Sequence, residues 1–244
     1  MALNKNGTGY MYGFALLITL ACGVLLALVS EATKEARETN VKVEKMTNIL
    51  STVNYTFEKG TSNAEIEETY KSLITEIVVD KEGELKDGVK AFDVDLKEEQ
   101  ASQRADADYD KNLAVFVYTN PESSEKYYVV PMRGNGLWGA VWGYLSIEAD
   151  FETVYGVKFD HESETPGLGA EITKDWFVEQ FPTKKAYDAD NQVALSILKG
   201  KGNQLSEYTV DGISGATITG NGVNDMFKAD LAEYVPYFNK LKNS

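Results

Sequence analysis

Leu113-Ala-Val-Phe-Val-Tyr-Thr119 and Lys126-Tyr-Tyr-Val-Val-Pro-Met132 stand on either side of Asn120-Pro-Glu-Ser-Ser-Glu125. Both runs are rich in β-branched and aromatic residues, which suit a pleated, half-buried surface. The hexapeptide between them holds the Asn, Pro and Ser that reverse a chain. The stretch therefore predicts a β-hairpin. Downstream, residues 140–148 and 154–162 predict two more strands, and residues 193–199 another, followed by a turn at Gly200-Lys-Gly-Asn203. Helical patterns flank these runs. Residues 64–76 open with acidic side chains, which suit a helix start. Residues 173–180 predict a short helix. From Gly222 to Leu241, the residues Val223, Met226, Phe227, Leu231, Val235 and Phe238 fall on one helical face. Residues 80–112 are polar without a period and predict an irregular excursion. The fold class expected is α+β, a mainly antiparallel sheet with flanking helices.

Ahead of this domain, Tyr10 to Val29 (YMYGFALLITLACGVLLALV) carries no charge. As a helix it is long enough to cross a hydrocarbon core of about 30 Å. Tyr10 and Tyr12 suit an interfacial aromatic belt. A cleaved signal peptide competes, with Ser30-Glu31-Ala32 as a small-x-small site. The length of the apolar run and the single Lys5 before it favour a retained anchor. Residues 31–53 lack Gly and Pro and extend the helix as a stalk, and residues 55–63 form a turn region around Gly60. The expected division is a tail and transmembrane helix at 1–30, a stalk and linker at 31–63, and an extracytoplasmic domain at 64–244. Charge alone leaves the orientation open, because Lys34, Arg37, Lys42 and Lys45 follow the span among Glu31, Glu35, Glu38 and Glu44.

The 244 residues carry a net charge of −14, with a pI near 4.6. So acidic a surface repels phosphate backbones, which argues against a nucleic-acid partner. Cys22 and His161 are single copies of their residue types. One apolar cysteine builds neither an internal disulfide nor an iron–sulfur site, and His161 reads as a solvated residue at a strand end. No metal set emerges from the sequence. Redox chemistry would come from an organic cofactor or from a metal shared with a partner.

Three small-residue segments remain: Gly134-Asn-Gly-Leu-Trp-Gly139, Glu164-Thr-Pro-Gly-Leu-Gly169 and Asp211-Gly-Ile-Ser-Gly-Ala-Thr-Ile-Thr219. Taken singly, each reads as an ordinary turn. The third leads into a helix through hydroxyls, Gly and Ala. Unencumbered backbone N–H groups at a helix start form a phosphate site, and Ser214, Thr217 and Thr219 add hydroxyl donors.

That third segment resembles the attachment motif of the FMN-binding domain family. The resemblance implies FMN held as a phosphoester on Thr219, with Ser214, Gly215, Ala216 and Thr217 as supporting contacts. The second segment is similar to the stretch of that family that lines the flavin ring, which assigns Glu164, Thr165, Gly167, Leu168 and Gly169 to the ring. Gly136-Leu-Trp-Gly139, before an aromatic-rich strand, resembles the C-subunit branch of the sodium-pumping NADH:quinone reductases. It places Leu137 and Trp138 at the flavin. The Rnf branch, linked to ferredoxin, shares the other two motifs. The resemblance implies a single-pass subunit of the bacterial inner membrane with its flavin domain outside the cytoplasm. Its implied partners are a metal-centre electron donor, a second flavin subunit and a flavin transferase for maturation. No side chain is expected to act as a catalyst, because the cofactor carries the redox chemistry. A flavin-free anchored binding or assembly module is the reading left if all three segments are only turns.

Overall fold

The protein is described here by a computed structural model that covers residues 7–200, 202 and 205–243. Lys5, and Lys201 and Asn203 of the expected turn, lie outside the described residues. The chain forms two compact units, Met1–Lys45 and Met46–Ser244. In the first, helix α1 (Thr8–Ala32) has a mean hydropathy of 2.5 over its most apolar window, and none of its side chains is buried by protein. Helix α2 (Lys34–Ser51) follows after Thr33, whose Oγ1 donates back to the Val29 carbonyl at 2.9 Å.

The second unit is built on a five-stranded antiparallel meander, in the order β1 (Ile74–Val79), β2 (Leu113–Thr119), β3 (Lys126–Asn135), β4 (Ala140–Ile147) and β5 (Val154–His161). Central strands are buried on both faces, so β2 reads as an unbroken apolar run rather than an alternation. One face carries Val130, Leu145 and Val157 in cross-strand register, and these join the main core. The C-terminal helices cover that face: α6 (Thr217–Met226), a π-helical turn (Phe227–Leu231) and α7 (Ala232–Lys242). Val223, Met226, Phe227, Leu231, Tyr234, Tyr237 and Phe238 are their buried apolar residues there. The other face carries Phe116, Val129, Ser146 and Gly156 in register. The chain just after α2 lies on it, with Ser146 Oγ donating to the Thr52 carbonyl at 2.7 Å. A side chain at Gly156 would strike that same carbonyl.

The expected class holds, and the hairpin lies where its residues place it. Several elements differ in extent. The helix expected over 64–76 ends at Leu73 (α3, Asn63–Leu73), and the chain turns directly into β1. The excursion at 80–112 contains helix α4 (Leu96–Ala105), capped by Asp95, which accepts from the Lys97 N–H at 2.8 Å. The run 193–199 supplies a two-residue strand, β6 (Ser196–Ile197), parallel to β7 (Thr209–Val210). The helix expected over 173–180 is a 3-10 turn (Gly169–Thr173) followed by the short α5 (Asp175–Val178). The final helix begins at Thr217, five residues before Gly222.

Candidate functional site

The three small-residue segments converge on one cavity of about 260 Å³. Leu137 and Trp138 reach it from the β3–β4 turn, where the Gly136 N–H donates to the Gly139 carbonyl at 2.8 Å. Glu164, Thr165, Leu168 and Gly169 reach it from the loop after β5. Gly215, Ala216, Thr217, Ile218 and Thr219 reach it from the start of α6. Two expected residues stand back from the wall. Ser214 is exposed on the approach to α6. Gly167 sits at the loop tip with φ of +78°, its N–H donating to Glu171 Oε1 at 3.1 Å. Ile218 also lines the cavity, and the sequence gives no sign of it, since an apolar residue between two threonines carries no chemical signal.

At the floor, Thr219 Oγ1 donates to Glu164 Oε2 at 2.7 Å. Both side chains are buried, Thr219 at 1% exposure and Glu164 at 4%. Glu164 Oε1 accepts the Trp138 backbone N–H at 2.8 Å, so one carboxylate ties all three segments together. Two glycines make room for it. A Cβ on Gly136 or on Gly169 would collide with the Glu164 carboxylate, and one on Gly169 would also come within 2.5 Å of Thr219 Oγ1. Gly215 has φ of +80°, in the left-handed region, and a side chain there would press within 2.8 Å of Leu168 Cδ2.

His161 is not the solvated residue that its polar neighbours suggest. It ends β5 half-buried, and its Nδ1 accepts the Glu164 N–H at 3.2 Å. Trp138 is 66% exposed. Ser163 Oγ donates to its carbonyl at 2.9 Å, a further tie between the first two segments.

Chemically, the cavity has an end lined by uncapped backbone amides and an apolar rim. Ala216, the N-cap of α6, provides no side-chain acceptor for the first-turn N–H groups of Thr217, Ile218 and Thr219. Such amides, with the helix dipole behind them, favour an anion. Leu137, Trp138, Leu168 and Ile218 project 40–66% exposed around the opening, a surface suited to a flat aromatic ring. The cavity is smaller than the about 300–1,000 Å³ that encloses a drug-sized ligand. A ring-bearing phosphate would therefore be gripped by its phosphate and one side, with the rest left open. The residues present fit FMN on these terms.

Comparison with known proteins agrees with this geometry. Residues 136–232, which hold all three glycine segments except Gly134 and Asn135, match the model of the FMN-binding domain family. The chain is 34% identical to the C subunit of the Na(+)-translocating NADH-quinone reductase of Pasteurella multocida, over 99% of this chain and 97% of the relative. It is 31% identical to the protein of the same name from Neisseria meningitidis serogroup A, over 94% and 92%. A crystal structure of the C subunit from Parabacteroides distasonis superposes with a TM-score of 0.72 at 33% identity, covering 84% of this chain and 96% of that one. These likenesses decide for the reductase branch over the Rnf branch.

Proposed function

The chain belongs to the family of Na(+)-translocating NADH-quinone reductase C subunits, flavoprotein components of an oxidoreductase complex, and we propose that it holds FMN as a phosphoester on Thr219 and relays electrons through it. The observation that carries this reading is the placement of the Thr219 hydroxyl at the uncapped start of α6, within the cavity where all three glycine segments meet. Bound FMN supplies the electron-accepting and electron-donating chemistry.

The chain's own residues do the rest. The N–H groups of the first turn of α6 offset the phosphate charge. Thr219 is β-branched, which limits the freedom of a group tethered to it. Gly215, Ala216 and Thr217 line the phosphate end, with Ser214 supporting the approach to it. Leu137, Trp138 and Leu168 cover ring surface and keep water from it, while Thr165, Gly167 and Gly169 shape the loop around it. Glu164 holds the three segments in register through Thr219 and Trp138.

Residues 1–30 anchor the chain through α1, the stalk that follows gives way to the domain at Met46, and that domain carries the flavin outside the cytoplasm. An open ring edge suits a relay, because donor and acceptor must both come close to it. The donor is a metal centre and the acceptor a second flavin subunit of the same membrane complex, whose electron flow drives sodium translocation. Attachment is the work of a separate flavin transferase. The test is a denaturing gel of protein from the native host. The wild-type band fluoresces under ultraviolet light and Thr219→Val does not. A dark wild-type band overturns the covalent attachment.

A further inference from the structure

The phosphoester reading leaves open why Thr219, the most enclosed of three nearby hydroxyls, should be the attachment point. Ser214 and Thr217 are exposed, and among the described residues neither donates to a carboxylate. Thr219 donates to Glu164 Oε2 at 2.7 Å with both side chains buried. The carboxylate is held for this contact. Its other oxygen is occupied by the Trp138 N–H at 2.8 Å, its own backbone N–H is bound by His161 Nδ1 at 3.2 Å, and Gly169 opens the space beside it.

A threonine hydroxyl is a poor nucleophile until its proton is removed, and the residue that removes it must lie within hydrogen-bond reach. We propose that Glu164 is the proton acceptor for flavin attachment, and that its contact with Thr219 selects this hydroxyl over Ser214 and Thr217. This rests on the phosphoester reading. The donor is a flavin whose phosphate sits in a phosphoanhydride, since the phosphate of free FMN lacks a leaving group. Thr219 Oγ1 forms a bond to that phosphorus and the anhydride P–O bond breaks, its electron pair leaving with the departing phosphate. The hydroxyl proton passes to Glu164 Oε2. The first-turn N–H groups of α6 receive the charge on the non-bridging oxygens. Protonated Glu164 then donates to the new ester oxygen, so the buried side chain keeps a partner after attachment.

The test follows labelling of full-length protein over time in a host that makes the transferase, read by in-gel flavin fluorescence and intact mass. Thermal melting checks the fold of each variant. Glu164→Gln slows labelling about a hundred-fold, the lower range for loss of a general base. Ser214→Ala and Thr217→Val still gain one flavin mass on Thr219, because the hydroxyl that Glu164 engages is intact. If Glu164→Gln does not fold, Glu164→Asp decides: labelling slower than wild type supports the proposal, and labelling at the wild-type rate overturns it. Folded Glu164→Gln labelling at the wild-type rate also overturns it. Unlabelled wild-type protein instead overturns the phosphoester reading itself.

Discussion

The Asp230 carboxylate, carried on the π-helical turn between α6 and α7, accepts the Arg133 backbone N–H at 2.7 Å and so ties the C-terminal helices to the strand that leads into the Leu137–Trp138 turn. Gln100 of α4 joins them, donating to the Arg133 carbonyl at 2.7 Å. Asp230 is 4% exposed, and burial pushes its carboxyl up to about 6, against the pull of the Arg133 N–H and of Lys111.

A pH dependence follows from this carboxyl. Its folded value lies above its unfolded one, so the folded protein binds the proton more tightly. Its contribution to stability is present below about pH 4 and is lost as pH rises through about 6. Asp230→Asn removes this slope. Urea unfolding of the detergent-solubilised full chain at several pH values should show the wild-type-minus-variant stability falling by on the order of 2–3 kcal/mol across that window. Parallel curves for the two proteins would contradict the assignment.

Gly169→Ala tests the packing at the cavity floor. The added Cβ meets both Glu164 and Thr219, so one of them must move. Overpacking of this kind costs about 1–3 kcal/mol. Thermal melting should register that loss, and covalent flavin should fall with it. Gly215→Ala adds left-handed strain to a contact with Leu168 Cδ2, and about 1–2 kcal/mol of destabilisation is expected. A Gly169→Ala protein as stable as wild type and fully labelled would show that the floor is not packed as described.

Trp138→Ala separates ring contact from attachment. The side chain is exposed at the rim, while its backbone N–H makes the bond to Glu164. Truncation leaves that bond in place, so labelling should be intact. A redox titration of the flavin should nonetheless shift relative to wild type. An unchanged titration removes Trp138 from the ring's surroundings.

The hairpin at 113–132 is legible in the sequence because composition, turn residues and spacing agree. Strand β1 is not, because it follows α3 directly and no Gly or Pro occurs anywhere from Asn63 to Val79. Only the backbone at Ile74, with ψ of 127°, marks the change. Helix α4 is hidden because it buries Glu99 alone, whose carboxylate holds the Asn112 N–H at 2.8 Å instead of packing apolar surface. Residues 217–222 are β-branched and glycine-rich, poor helix formers by themselves. Tertiary contact overrides that preference: Gly222 lies so close to the Asn135 carbonyl that no side chain would fit. The three glycine segments are legible as candidates, but their joining through one buried carboxylate is not. Glu164 and Thr219 are 55 positions apart, and nothing local to either announces the other.

Peptide mapping of protein from native membranes tests the central claim most directly. Trypsin releases residues 202–228 as one peptide, since no Lys or Arg lies between Lys201 and Lys228. This peptide is expected to carry the added mass of FMN less one water, and its fragment ions are expected to place the addition on Thr219. An unmodified peptide, or an addition on Thr217 or Ser214, would contradict attachment at Thr219.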